Sequence, residues 1–147
     1  EGNTATIVTS QTADYVKQKV DELNETYETG VKGAAAKTAE ERVQLIQEND
    51  VILVTLKAGV QLITQDMLKN ISSKKLVGDV NAVPPSGIEG LEAHDDGKEI
   101  APNVFGIGAL AIGQVKYQVE AGLFKKMLES TCTLDFKDAY ELAQTIS

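Results

Sequence analysis

The chain has 147 residues, 42% hydrophobic, 24% charged and 5% aromatic with no tryptophan, a mix that excludes a disordered acidic tail and calls for a core of aliphatic side chains. The 22 acidic residues outnumber the 14 basic ones for a net charge of -8, with a pI near 4.6, which excludes a general binder of nucleic acid or of anionic membranes. The length fits one domain. One cysteine, Cys132, rules out an internal disulfide framework and a multi-cysteine metal site, and makes a reducing cytoplasm the simplest compartment.

The first predicted element is a β-branched strand, Thr4 to Thr9. A helix follows, with Val16, Val20, Leu23 and Tyr27 on one face, Thr12 as its cap and Asp14 in its positive first turn. Gly30 ends or follows this helix. Val31 to Ala36 is a weak strand, since Gly33 and three alanines dilute the β signal. The run Thr38-Ala-Glu-Glu41 reads as a capping box for a second helix carrying Val43, Leu45 and Ile46. Val51 to Leu56 is a continuous apolar run, the strongest candidate for a central parallel strand. A short helix over Thr64 to Asn70 and a strand over Lys75 to Val80 come next.

Asn81 to Asn103 reads as one long loop. It contains all three prolines and the acidic stretch Glu92 to Asp96, and loops of this length are either functional or solvated excursions. Val104 to Ile107 is a short strand. It leads into an amphipathic helix with Ile112, Val115, Val119, Leu123, Met127 and Leu128, and a last helix capped by Asp135 buries Ala139, Leu142, Ala143 and Ile146. Strands alternating with helices indicate an α/β fold with right-handed crossovers and a parallel sheet covered on both faces.

In such a sheet, ligands sit beyond the carboxyl ends of the strands. Four ends can be read: Thr9 to Thr12, Leu56 to Gly59, Asp79 to Ala82 and Gly106 to Gly108. No G-x-G-x-x-G and no Walker-type phosphate loop occurs. Gln11 sits where dinucleotide enzymes that prefer a free ribose place an acidic residue. The neutral Ser10-Gln11-Thr12 neither repels a 2′-phosphate nor offers an arginine to it, and a plain helix cap fits the same residues. His94, the single histidine, stands among Glu92, Asp95 and Asp96, where a metal or acid–base role competes with a solvated surface. No nucleophile motif surrounds Ser86 or Cys132. Lys116 follows the glycine-rich entry to the long helix, where a solvated side chain is the ordinary alternative to a functional one.

Gly78-Asp-Val-Asn-Ala-Val-Pro-Pro85, then Gly87-Ile-Glu-Gly90, then Gly108-Ala-Leu-Ala-Ile-Gly-Gln-Val-Lys116 together form the patterns D-x-N-A-x-P-P, G-I-x-G and G-x-L-x-I-G-x-x-K. In combination they resemble the NAD(P)-dependent methylenetetrahydromethanopterin and methylenetetrahydrofolate dehydrogenases of one-carbon metabolism. The likeness runs through essentially the whole chain. It implies a Rossmann-type, doubly wound, mostly parallel sheet that binds NADP or NAD. A preceding α/β domain would complete a cleft for the tetrahydropterin carrier. Hydride would pass from the methylene carbon to the nicotinamide.

Carried over by position, the resemblance puts Ser10, Gln11 and Thr12 at the adenosine ribose or its 2′-phosphate. Lys57 and Ala58 would flank the cofactor, Asn81 and Ala82 would lie near the nicotinamide with Gly106 and Ile107 close by, and Lys116, as the catalytic residue, would position the pterin or favour an electron-rich group near the developing methenyl charge. Two departures from the family pattern stand out. Gln11 and Thr12 replace the Arg or Lys that NADP-preferring members carry, which leaves the choice of cofactor open. Glu1 would match the end of the first Rossmann helix, so the first strand and its glycine-rich turn are absent. In a sheet ordered 3-2-1-4-5-6, strands 2 and 4 would then face a gap one strand wide, with unpaired backbone and exposed apolar faces.

The expectation is therefore a partial NAD(P)-binding domain over residues 1-147, inactive alone and completed by an upstream segment or a partner chain. A homo-oligomer is compatible with it. Two other readings stay open: a non-enzymatic nucleotide-binding or interaction module, and a dehydrogenase of the amino-acid or shikimate type.

Overall fold

A computed structural model describes residues 2–146; the expectation attached to Glu1 lies outside them. The chain folds as two compact units, Glu1–Glu48 and Asn49–Ser147.

In the first unit, β1 (Thr6–Thr9) pairs in parallel with β2 (Lys32–Ala35), and α1 (Ala13–Tyr27) connects them. The Thr12 hydroxyl caps α1 by accepting the Tyr15 N–H at 3.2 Å. The helix stops where Glu28 turns left-handed at φ 52°, two residues ahead of Gly30. Asn24 holds the return to β2, its amide nitrogen donating to the Val31 carbonyl and its Oδ1 accepting the Val31 N–H. β2 forms despite its alanines and glycine because α1 lies directly on it. A Cβ on Gly33 would stand 3.0 Å from Val16 and 3.2 Å from Val20, so the residue that weakened the strand signal is the one that admits the helix. α2 (Ala39–Glu48) carries the expected capping box. Glu41 N–H donates to the Thr38 hydroxyl at 3.2 Å, while the Glu41 carboxylate accepts the N–H groups of Thr38 and Lys37 at 2.9 and 2.6 Å. Val16, Val20, Ala36 and Ile46 are the buried apolar residues of this unit.

The second unit is built on a four-stranded sheet of β3 (Val51–Val54), β4 (Lys75–Asp79), β6 (Val104–Ile107) and β5 (Asp96–Ala101), in that order. β3, β4 and β6 are parallel, and β5 runs antiparallel to β6. α3 (Gln65–Leu68) crosses from β3 to β4, and α4 (Ala109–Glu129) and α5 (Phe136–Ile146) follow β6. The core contains Val54, Ile63, Leu68, Ile71, Val77, Ile88, Leu91 and Val104. Among the described residues no helix is long and apolar enough to cross a membrane.

Three expectations are corrected here. The segment Asn81 to Asn103 is not one loop, because Asp96–Ala101 forms β5 and an isolated parallel bridge joins Ile88 to Ile63. The charged sequence Asp-Gly-Lys-Glu hides β5 from any propensity argument; backbone pairing to β6 makes the strand, with two register irregularities. Val51–Val54 is not central but lies at an edge of its sheet, with β4 as its hydrogen-bonded neighbour, and Val51 and Leu53 are 55% and 65% exposed. Lastly, the long helix buries Val119 alone. Ile112 and Leu123 are half-buried, whereas Val115, Met127 and Leu128 are exposed. α5 has no fully buried residue, although Ala139, Leu142, Ala143 and Ile146 are half-buried.

Candidate functional site

A cleft of about 260 Å³ opens in the second unit where β4 and β6 end, with Asp79, Asn81, Ala82, Ser86, Glu92 and Gly108 among the residues that line it. Its floor starts from an anomaly in the sequence. Asp79 closes the apolar strand Lys75–Asp79, yet it is 1% exposed, and a carboxylate so deep needs donors. The following loop supplies them. Oδ1 accepts the backbone N–H of Asn81 at 3.0 Å, and Oδ2 accepts that of Gly87 at 2.6 Å, with the Ser86 hydroxyl 3.1 Å away. A Cβ on Gly87 would stand 2.7 Å from Val54 and 3.2 Å from Asp79 Oδ2, so the approach depends on glycine.

The same loop is tied to its surroundings. The Asn81 side-chain amide donates to the Leu56 carbonyl, which draws the exit of β4 onto the exit of β3. Leu62 and Ile63 donate their N–H groups to the Gly87 carbonyl at 2.8 and 3.0 Å. Gln65 donates to the Glu89 carbonyl at 2.7 Å. Half of the supposed loop is therefore packed backbone, anchored by the buried Ile88 and Leu91.

The opposite wall is the turn from β6 into α4. Gly108 N–H donates to the Asp95 carbonyl at 2.7 Å, and Leu110 N–H donates to the Ala93 carbonyl at 2.8 Å. A Cβ on Gly108 would collide with the Glu92 and Ala93 carbonyls. Asp95 stabilises this wall: its carboxylate accepts the Glu92 N–H at 2.8 Å and pairs with Lys98 at 3.0 Å. Burial pushes the Asp95 carboxyl up, but the Glu92 N–H and the Lys98 ammonium outweigh it and hold it below the usual carboxylate range.

Of the residues singled out from sequence, Asn81 and Ala82 line the cleft. Lys57 and Ala58 are exposed in the segment after Leu56, whose carbonyl holds Asn81. Gly106 and Ile107 lie in β6 beside Val77 and Gly78 of β4; Gly106 is packed against Leu91 and Ile100, and neither residue is in the cleft lining. Lys116 lies two turns along α4, 70% exposed at its side chain and 3.5 Å from Glu120, and is likewise not part of the lining. Ser10, Gln11 and Thr12 belong to the first unit, where they are exposed at the exit of β1 and Gln11 N–H donates to the Thr9 hydroxyl at 3.1 Å. His94 is exposed. Among the described residues no group of three His, Cys, Asp or Glu side chains could hold a metal ion. Asp79 opens one of the four strand ends read from sequence, yet neither it nor Ser86 receives a role there, and Glu92 is weighed only beside His94; the signal for Asp79 is a charge closing an apolar strand.

Comparison with characterised proteins bears on this cleft. Over 116 residues, 74% of this chain, the sequence is 42% identical to the NAD(P)-dependent methylenetetrahydromethanopterin dehydrogenase of Methylorubrum extorquens. The chain is homologous to part of this dehydrogenase. It is also 29% identical over 135 residues, 91% of its length, to the bifunctional protein MdtA of the same organism. The matched segments make up 37% and 46% of these two relatives, so the chain spans less than half the length of either. No family model matches the sequence. The homology to the dehydrogenase bears out the resemblance carried by the D-x-N-A-x-P-P, G-I-x-G and G-x-L-x-I-G-x-x-K patterns.

Proposed function

We propose that residues 1-147 form part of the Rossmann-type NAD(P)-binding domain of a methylene-tetrahydropterin dehydrogenase. The observation that carries the reading is the 42% identity to the methylenetetrahydromethanopterin dehydrogenase. The position of the cleft supports it, since ligands of parallel α/β sheets collect beyond the carboxyl ends of the strands. The space suits one ring with its amide: a mostly apolar wall of Ala82, Val83 and Leu91 beside the polar Asn81 and Ser86.

When bound, the dinucleotide supplies the acceptor for a hydride leaving the methylene carbon of tetrahydromethanopterin or tetrahydrofolate, which leaves the carrier as its methenyl cation. The residues of this chain provide alignment. Asn81 and Ala82 form the wall against the nicotinamide, with Gly106 and Ile107 fixing the strand beneath, and Lys57 and Ala58 flank the cofactor from the neighbouring strand exit. Ser10, Gln11 and Thr12 take the adenosine end, and Lys116 positions the pterin. Holding donor and acceptor in register is the main protein contribution to such a transfer.

On this reading a pterin-binding domain, a further strand and its glycine-rich phosphate turn come from sequence outside these residues. Two observations favour the extra strand: β1 and β3 each have a single hydrogen-bonded neighbour, and each exposes apolar side chains, Ile7 and Val8 on one and Val51 and Leu53 on the other.

The test is an assay of the intact protein with methylenetetrahydromethanopterin and methylenetetrahydrofolate, each with NADP and NAD, following the reduced nicotinamide. Turnover with either carrier is expected. Dinucleotide binding without turnover of either carrier would favour the nucleotide-binding module instead.

A further inference from the structure

Resting on the dinucleotide-binding reading above, we propose that Asp79 is a positioning residue: it holds both ends of the Asn81–Gly87 segment so that this wall is preformed for the nicotinamide half of the cofactor.

Asp79 is fixed at its backbone because it is the last residue of β4 and pairs in register with Val54 of β3. Its side chain is fixed by burial. From this anchor the two carboxylate oxygens divide the loop between them. Oδ1 takes the N–H that opens the segment, at Asn81, and Oδ2 takes the N–H that closes it, at Gly87. The residues in between carry Ala82, Val83 and Pro84, which line the cleft. A second lock acts on Asn81, whose side-chain nitrogen is committed to the Leu56 carbonyl. The second amide N–H and the amide oxygen remain to face other partners.

Ser86 strengthens the closing end. Its hydroxyl lies within hydrogen-bond distance of Asp79 Oδ2 and of the Ile88 carbonyl, and it accepts the Ile88 N–H at 3.2 Å. Both oxygens of Asp79 are thus already engaged by the protein. The residue acts through the loop and not by contact with ligand. A carboxylate is needed because each end offers an N–H: only an acceptor on both sides satisfies the two, and charge-assisted bonds of this kind are the stronger class.

Asp79→Asn puts a donor where Oδ1 or Oδ2 stood and sets it against one of the two N–H groups, releasing one end of the wall. Ser86→Ala is the milder variant, leaving the carboxylate with both backbone donors. In the intact protein, affinities are measured for NADP and NAD and for their fragments without nicotinamide, ADP-ribose 2′-phosphate and ADP-ribose. Asp79→Asn is expected to weaken the whole dinucleotide by about tenfold or more, the scale of a lost bond to a charged group. The fragments should bind as before, and Ser86→Ala should show a smaller loss of the same selectivity.

Equal losses for dinucleotide and fragment would overturn the proposal, since a merely structural aspartate has no preference for one half of the cofactor. Unchanged binding of both would overturn it as well. If Asp79→Asn fails to fold, Ser86→Ala decides alone, and absence of a selective loss there is the overturning result. Failure of the unsubstituted protein to bind any of the four ligands would instead defeat the dinucleotide reading itself, and the proposal with it.

Discussion

Leu142 of α5 lies so close to Gly122 of α4 that a Cβ on the glycine would stand 2.6 Å from Leu142 Cδ2. The helix hairpin closes at a position without a side chain, and Lys126 and Asp138 pair at 3.0 Å in the same hairpin. Gly113, in the same helix, has nothing within 4 Å of its would-be Cβ. Alanine in a helix interior is favoured over glycine by about 0.5–1 kcal/mol, so Gly113→Ala should stabilise by that amount. Gly122→Ala should forfeit the gain and fall roughly 1 kcal/mol or more below it, because Leu142 must move. Urea denaturation of both variants measures the difference, and equal stabilisation would mean that Leu142 steps aside without cost.

The Lys126–Asp138 pair makes hairpin stability depend on pH. The Asp135 N–H and then the Lys126 ammonium hold the Asp138 carboxyl below its ordinary value of 3.8. A depressed carboxyl contributes stability above its unfolded pKa and loses it as pH falls through the folded one. The thermal midpoint should therefore drop as pH goes below about 4, and Asp138→Asn should flatten that part of the profile. The effect is small because the Lys126 partner is itself exposed. An unchanged acid limb in the variant would assign the pH dependence to other carboxylates.

Thr38→Ala removes the hydroxyl that accepts the Glu41 N–H. A loss of about 1 kcal/mol is expected for an N-cap of this kind. Since Glu41 still bonds the N–H groups of Thr38 and Lys37, Thr38→Ser should restore nearly all of it. Chemical denaturation that fails to separate Ala from Ser would mean the cap does not limit stability.

Lys116 is solvated and its pair with Glu120 spans 3.5 Å, so Lys116→Ala should change stability by less than about 0.5 kcal/mol. That makes kinetics a clean readout. Under the proposed function the turnover number should fall by about tenfold or more, the scale of one lost charge-assisted contact in the transition state. Kinetics matching the unsubstituted protein would remove Lys116 from the site.

Gln11 offers no charge to a 2′-phosphate. Gln11→Arg would supply a planar donor of the right sign, and the ratio of kcat/KM for NADP over NAD should rise by about tenfold. A ratio that stays fixed in direct competition would move the adenosine ribose away from this residue.

Local signals were legible from sequence where one segment decides its own conformation. Thr12 and the Thr38/Glu41 pair cap helices because their partners lie within four residues, and Val77 and Val104 are core because short apolar strands between helices have few other fates. β5 was not legible, since Asp96 to Glu99 becomes a strand only through β6, which lies later in the chain. The exposed face of α4 was hidden for the opposite reason: periodicity tells which side chains share a face, and burial depends on what stands opposite. The motif singles out Asn81 and Ala82, which line the cleft, whereas Asp79, in the same motif and the same lining, carries no assigned role in the sequence reading. Its charge had a visible problem, a carboxylate closing an apolar strand, but the donors that solve it lie up to eight residues away, across a loop whose path no local rule gives.

The four-stranded sheet ends in two unlike borders. On one side β5 presents Asp96, Lys98 and Glu99, with Gly97 at φ 70° and broken register against β6; such a border repels a stranger strand by charge and misfit. On the other side β3 presents Val51-Ile-Leu-Val54 with regular pairing to β4. Accretion of any chain onto this sheet is thereby directional. It proceeds from β3, so the border that would accept a further strand under the proposed function is also the one through which copies of this chain would aggregate.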